Sequence, residues 1–285
     1  MKKEYDFSKA KRNPYVKVLK TTQITIFFLL LLFTLPSYAL RIISLAPNLT
    51  EMVYAVGAGK ELVGVSEYSD FPTEAQHLPV ISRFEHIDVE GILLLKPDLV
   101  LAWKGSGEES AINSLQDFGI SVQWISTSTL LEIPSALAQI GELTHHEAAG
   151  KKAAQAFGAR YQALKEKYSH PGNLQKTVFL ELFDSPLYTA GKKSFLMNIL
   201  DICGAKSAFP SLNTEASSVS LESVVAANPS IIIALEPADI SRWQAWPMME
   251  AVKTHQVSQI DPNILARPGP RILEGVSQVC EWINR

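Results

Sequence analysis

Tyr68, Trp103 and Trp124 each stand at or just after the end of a short apolar run that reads as a β-strand. In open α/β sheets that edge is where ligands bind, so the three rings are candidate contacts. Their plainer alternative is to plug the core. Two carboxylates, Glu109 in Gly105-Ser106-Gly107-Glu108-Glu109 and Glu222 in Val219-Ser220-Leu221-Glu222, are expected at corresponding places in two halves of the chain. Catalysis has little to stand on, for there is no G-x-S-x-G elbow and no P-loop lysine motif. Gly57-Ala58-Gly59 lacks a third glycine and follows a predicted helix, so it reads as a helix end. Of six histidines, His145 and His146 are adjacent and point to different faces, and the others are scattered. No metal site or cofactor is expected. The two cysteines, Cys203 and Cys280, suit either a disulfide in an oxidising compartment or two buried thiols.

Several elements must position these residues. Arg41 to Ala46 reads as a buried parallel strand, Pro47-Asn48 as a turn, and Thr50 as the N-cap of a helix through Val56. Leu62 to Ser66 supplies the next strand, completing a βαβ unit. A helix end, a Pro stop and a strand follow in Ile92 to Trp103, and the same grammar returns in Val224 to Leu235, with Lys96-Pro97 and Asn228-Pro229 132 positions apart. Thr177 to Leu182 echoes the opening strand. Between the halves, about 143–168 is Pro-free and rich in helix formers, which predicts one long connecting helix. The expected fold class is α/β: two similar lobes, each with a central, mainly parallel sheet flanked by helices, joined by one long bridging helix. The boundaries expected are 40–142 for the first lobe, 143–170 for the helix and 171–285 for the second lobe. Trp246 and Trp282 read as core, and Trp243 as a surface or rim residue.

Composition sets the class. The 285 residues are 47% hydrophobic and 19% charged, which suits a globular chain with real cores. A net charge of −3 excludes a strongly basic nucleic-acid binder. Residues 1–39 carry seven basic and two acidic residues, and the remainder 19 basic and 27 acidic, a net of −8. The basic stretch, the apolar run Ile24 to Leu35 and the small residues Ser37 and Ala39 read as a secretory signal peptide cut after Ala39. The run of 12 is short of the roughly 20 residues a spanning helix needs. An uncleaved anchor is the alternative.

Read together, Arg41 to Glu51, Val63 to Pro72, Leu95 to Gly105, Tyr188-Thr189-Ala190-Gly191-Lys192, Val219 to Glu222 and Pro270-Arg271-Ile272 form a collinear series along nearly all of 41–283. That series resembles the periplasmic substrate-binding proteins of ABC importers, in the class with a single bridging helix, and within it the vitamin B12-binding (BtuF-type) proteins. The resemblance implies a soluble periplasmic receptor, monomeric by default, that binds a corrinoid between its lobes and hands it to an inner-membrane ABC permease without bond chemistry. It further implies a Cys203–Cys280 disulfide, ligand contacts at Tyr68, Trp103, Trp124 and Arg267, and permease docking through Glu109 and Glu222. Three departures thin the second lobe's aromatic wall: Ala216 where that type has a Trp, Leu182 with Phe183 in place of an aromatic, and Pro262 to Ala266 without an aromatic pair. The alternatives are a receptor for haem or a ferric siderophore, a secreted enzyme acting on a large cofactor, and an anchored envelope adaptor.

Overall fold

In the first half, β1 (Ile42–Ser44) lies between β2 (Leu62–Ser66) and β5 (Leu99–Trp103), parallel to both. With β3 (Val80–Arg83), β4 (His86–Ile87) and β6 (Ser121–Ile125) it forms a six-stranded sheet in the order β4-β3-β2-β1-β5-β6, in which the β3–β4 pair is antiparallel. The central strands are short runs of apolar, mostly branched side chains, buried on both faces as a helix-covered sheet requires. Side chains alternate along them. Ile42, Leu99, Leu101 and Ile125 join one core cluster with α1 (Pro47–Ala55), α4 (Ile133–Leu143) and α5 (Glu147–Tyr168). Ile43, Val100, Ala102 and Val122 join a second with α2 (Val89–Leu95) and α3 (Glu109–Asp117).

In the second half, β7 (Thr177–Asp184) runs parallel to β11 (Ile231–Ala234), which is flanked by parallel β12 (Val257–Gln259). On its other edge β7 takes parallel β9 (Lys206–Ser207) at its start and antiparallel β8 (Leu187–Ala190) further on, and β8 pairs antiparallel with β10 (Ala216–Ser218). The sheet is therefore mixed, because a hairpin after β7 carries the chain back along its edge. The structure is a computed structural model describing residues 8, 11, 40–83, 86–104, 109–168, 176–235 and 239–285. Apart from Ser8 and Lys11, the leader expected over 1–39 lies outside the described residues, as does the cut after Ala39. Leu40–Arg285 form one compact unit. Among the described residues no helix is long and apolar enough to cross a membrane.

The internal repeat is explicit in the backbone. Asp88 caps α2 by accepting from the Gly91 N–H at 2.9 Å, and 132 positions on Ser220 caps α7 (Leu221–Ala227) by accepting from the Ser223 N–H at 3.1 Å. Both helices end on left-handed residues, Lys96 (φ 45°) and Asn228 (φ 43°), ahead of proline and the next strand. Ile42 faces Leu99 as Val178 faces Ile231, so the sheets share register as well.

Two local expectations are corrected. The first helix begins at Pro47, not after Thr50, because proline at the first helical position is preset for the helix. Thr50 lies inside that helix, its hydroxyl donating to Ser44 Oγ at 2.9 Å. The long helix begins at Glu147, not 143, since Leu143 ends α4 and His145 turns the chain at φ 59°. Its 22 residues span about 33 Å. Gly141 and Gly150 let α4 and α5 touch, and a Cβ on Gly150 would meet Gly141 Cα at 2.9 Å. Cys203, after α6 (Leu196–Ile202), is disulfide-bonded to Cys280 on α10 (Ile272–Ile283), which decides between the two readings left open.

Candidate ligand-binding cleft

At the carboxyl ends of β5 and β11 lies a cavity of about 280 Å³ walled by both halves. Trp103, Lys104, Thr127 and Ser128 line it from the first half, and Leu182, Phe183, Lys193, Phe195, Glu215, Ala216 and Leu235 from the second, with Pro262 and Ala266. Trp103 ends β5 and Leu235, 132 positions on, directly follows β11, and both line the cavity. Alternation sends Trp103 to the same face as Leu99 and Leu101. Its ring is fixed by Nε1 donating to Thr127 Oγ1 at 2.8 Å, and buried Thr127 also accepts from Asn48 Nδ2 at 3.3 Å. The adjoining loop is held by Glu132, whose Oε2 accepts from Ser126 Oγ at 2.6 Å and Ser128 N–H at 3.1 Å. A second cavity of about 650 Å³ opens beside it, sharing Ser128, Lys193 and Ser194 and lined further by Lys192, Asp201 and Lys206.

The other aromatic and basic candidates are placed differently. Tyr68 is 69% exposed at φ 62°, a left-handed conformation that costs an ordinary residue energy and here holds a ring in solvent. Trp124 packs, half-buried, against the α2–α3 cluster, because its parity in β6 is that of Val122. Arg267 is engaged: its guanidinium donates to Asp70 at 2.5 and 3.1 Å and to Asn263 Oδ1 at 2.6 Å. Beside it Arg271 forms a fork onto buried Glu51 at 3.0 and 2.6 Å and lies 3.8 Å over the Phe71 ring. These pairs join the last loop of the second half to α1 and the β2 loop of the first. Hydrogen bonding from Arg267, with its charge, holds the Asp70 carboxyl below the ordinary carboxylate range.

Trp243 is fully buried, not a rim residue, and its Nε1 donates to Glu181 Oε2 at 2.9 Å. Trp246 is only partly buried against the same cluster. Burial raises the Glu181 carboxyl above its ordinary range, against the pull of Arg242. Trp282 packs partly buried on the main core. Glu109 and Glu222 are exposed in the first turns of α3 and α7. The Glu222 carboxyl is held low by its own backbone N–H and by Ser220. They are not repeat partners, since the position equivalent to Glu222 is Glu90, the second residue of α2. Glu108 lies outside the described residues. No cluster of three or more His, Cys, Asp or Glu that could hold a metal occurs among the described residues. Sequence reasoning missed Lys104, Lys193 and Phe195. Lys104 follows a singled-out tryptophan, but Lys193 and Phe195 carry no local signal.

The periplasmic binding protein family model matches residues 42–264. The vitamin B12-binding protein of Vibrio cholerae (El Tor strain) is 34% identical over 252 residues, covering 87% of this chain and 91% of that protein. The solved structure of the periplasmic vitamin B12 binding protein BtuF of Vibrio cholerae superposes with a TM-score of 0.80 at 34% identity, covering 86% of this chain and 96% of that one. The periplasmic heme binding protein HutB of Vibrio cholerae shares the fold, with a TM-score of 0.75 at 23% identity over 87% of this chain and all of its own.

Proposed function

The chain belongs to the periplasmic binding protein family, and from that premise we propose that it is a periplasmic receptor that binds a corrinoid, vitamin B12, between its lobes and delivers it to an ABC importer. The observation that carries the ligand is the near full-length likeness to relatives named for vitamin B12. The cleft supports it: a mostly apolar wall, a tryptophan held rigid by Thr127, and a few polar groups suit a broad ring with amides at its rim. Trp103 stacks on the ligand, and exposed Tyr68 closes on it from the β2 loop. Trp124 buttresses the sheet behind them, and Arg267 acts by fixing the loop that carries Ala266. The mechanism is binding and handover, with no bond made or broken. The leader directs export and is cut near Ala39, releasing a monomer. Glu109 and Glu222, one per lobe, meet cations on the permease, where such pairs set orientation and encounter rate.

Tryptophan fluorescence titration of residues 40–285 with cyanocobalamin tests the reading. One-to-one, sub-micromolar quenching is expected, weakened about tenfold or more by Trp103→Ala. Tight binding of haemin with none of cobalamin would keep the receptor role and overturn the ligand.

A further inference from the structure

Beyond Leu40 the chain carries a surplus of acidic residues, yet its cleft is locally cationic. Lys104 from the first half and Lys193 from the second line the same cavity as Trp103, against one carboxylate, Glu215. Lys192 and Lys206 line the adjoining chamber, against Asp201. Neighbouring carboxylates are already engaged, Asp70 by Arg267, Glu51 by Arg271 and Glu132 by the loop it anchors. Among the described residues neither Lys104 nor Lys193 is in an ion pair. Their backbones are pinned, the Lys104 N–H donating to Ile125 O and the Lys193 N–H to Thr214 O, each at 2.9 Å. Two exposed lysines therefore line one cavity from opposite lobes, each carrying its ammonium on a flexible stem.

We propose that Lys104 and Lys193 form a two-sided clamp for an anionic group on the ligand's periphery, and that they make the receptor select corrinoids that carry the phosphodiester of the nucleotide loop. The inference rests on the corrinoid reading. A corrin ring against Trp103 presents neutral amides around its rim, and the phosphodiester is the fixed negative charge of a complete cobalamin. Lysine suits it as a mobile point charge. The clamp also draws the lobes together on the ligand, because each lobe supplies one cation.

The test is a ligand-by-variant cycle on the purified protein. Cyanocobalamin, cobinamide (the same ring without the phosphodiester) and haemin are titrated against the unmodified protein, Lys104→Ala, Lys193→Ala and the double variant, at low and high salt. Each single change is expected to loosen cobalamin about threefold and the pair about tenfold, while cobinamide shifts by less than about twofold. The cobalamin preference should also shrink with salt. Equal losses for both corrinoids, or none for either, would overturn the clamp while leaving the receptor intact. Failure of both corrinoids to bind the unmodified protein would instead remove the corrinoid reading. Haemin binding tightly in a lysine-dependent way would reassign the clamp to its carboxylates.

Discussion

Asp70 and Arg267 show how one pair carries a pH signature. Hydrogen bonding from the arginine holds the Asp70 carboxyl below its ordinary range, so the charged form is favoured more in the folded than in the unfolded state. The stability it contributes is complete above the unfolded value and is lost as pH falls through the folded one. Asp70→Asn should therefore flatten the acid limb of the stability–pH curve below about pH 4, read by urea denaturation at stepped pH. An unchanged slope would remove the pair from acid stability. The amplitude is modest, because the Asp70 side chain is 42% exposed. At this scale the sequence was an incomplete guide. Trp103 could be placed from the period of its strand, whereas burial of Trp243 in preference to Trp246 depends on Glu181, 62 residues away, as acceptor.

Elements were more legible, since caps, Pro stops and alternation are local rules. The helix stops before Pro97 and Pro229 follow from those prolines, and the repeat from their common spacing, whereas the left-handed turns at Lys96 and Asn228 are not what a following proline dictates. The α4–α5 junction was not legible, because a helix-forming composition hides the break at His145. That junction depends on backbone contact, and a methyl on Gly150 would also meet Leu137 O at 2.9 Å. Gly150→Ala should cost about 1–3 kcal/mol despite its better helix propensity, measured by chemical denaturation. A stabilised variant would mean that the two helices can part.

On the scale of the molecule, one core cluster runs through both halves, holding Leu101 of the first sheet with Ile233 of the second and Val276 of α10. Together with the Glu51–Arg271 and Asp70–Arg267 pairs, it ties the two halves to each other. The Cys203–Cys280 bridge closes a separation of 77 residues, worth about 4 kcal/mol on the chain-entropy model. Reversing Glu109 and Glu222 together to arginine should abolish ligand uptake in a transport assay while leaving ligand affinity unchanged, because both are exposed at helix starts and neither lines the cleft. Normal uptake by the double variant would remove the docking role.

The α/β class, the doubled plan, a connecting helix and the tryptophan at the end of β5 were all legible in the amino-acid order. Each is encoded in neighbours a few residues apart, through periodicity, caps and proline. Which groups share the cleft depends on how distant segments pack together. Lys104 and Lys193 line one cavity, and Arg267 pairs with Asp70 because the chain returns from the second half to the first at 267–271. Contacts across some 90 to 200 residues leave no period in the sequence. They arise when two sheets and a shared core fix where distant loops must lie.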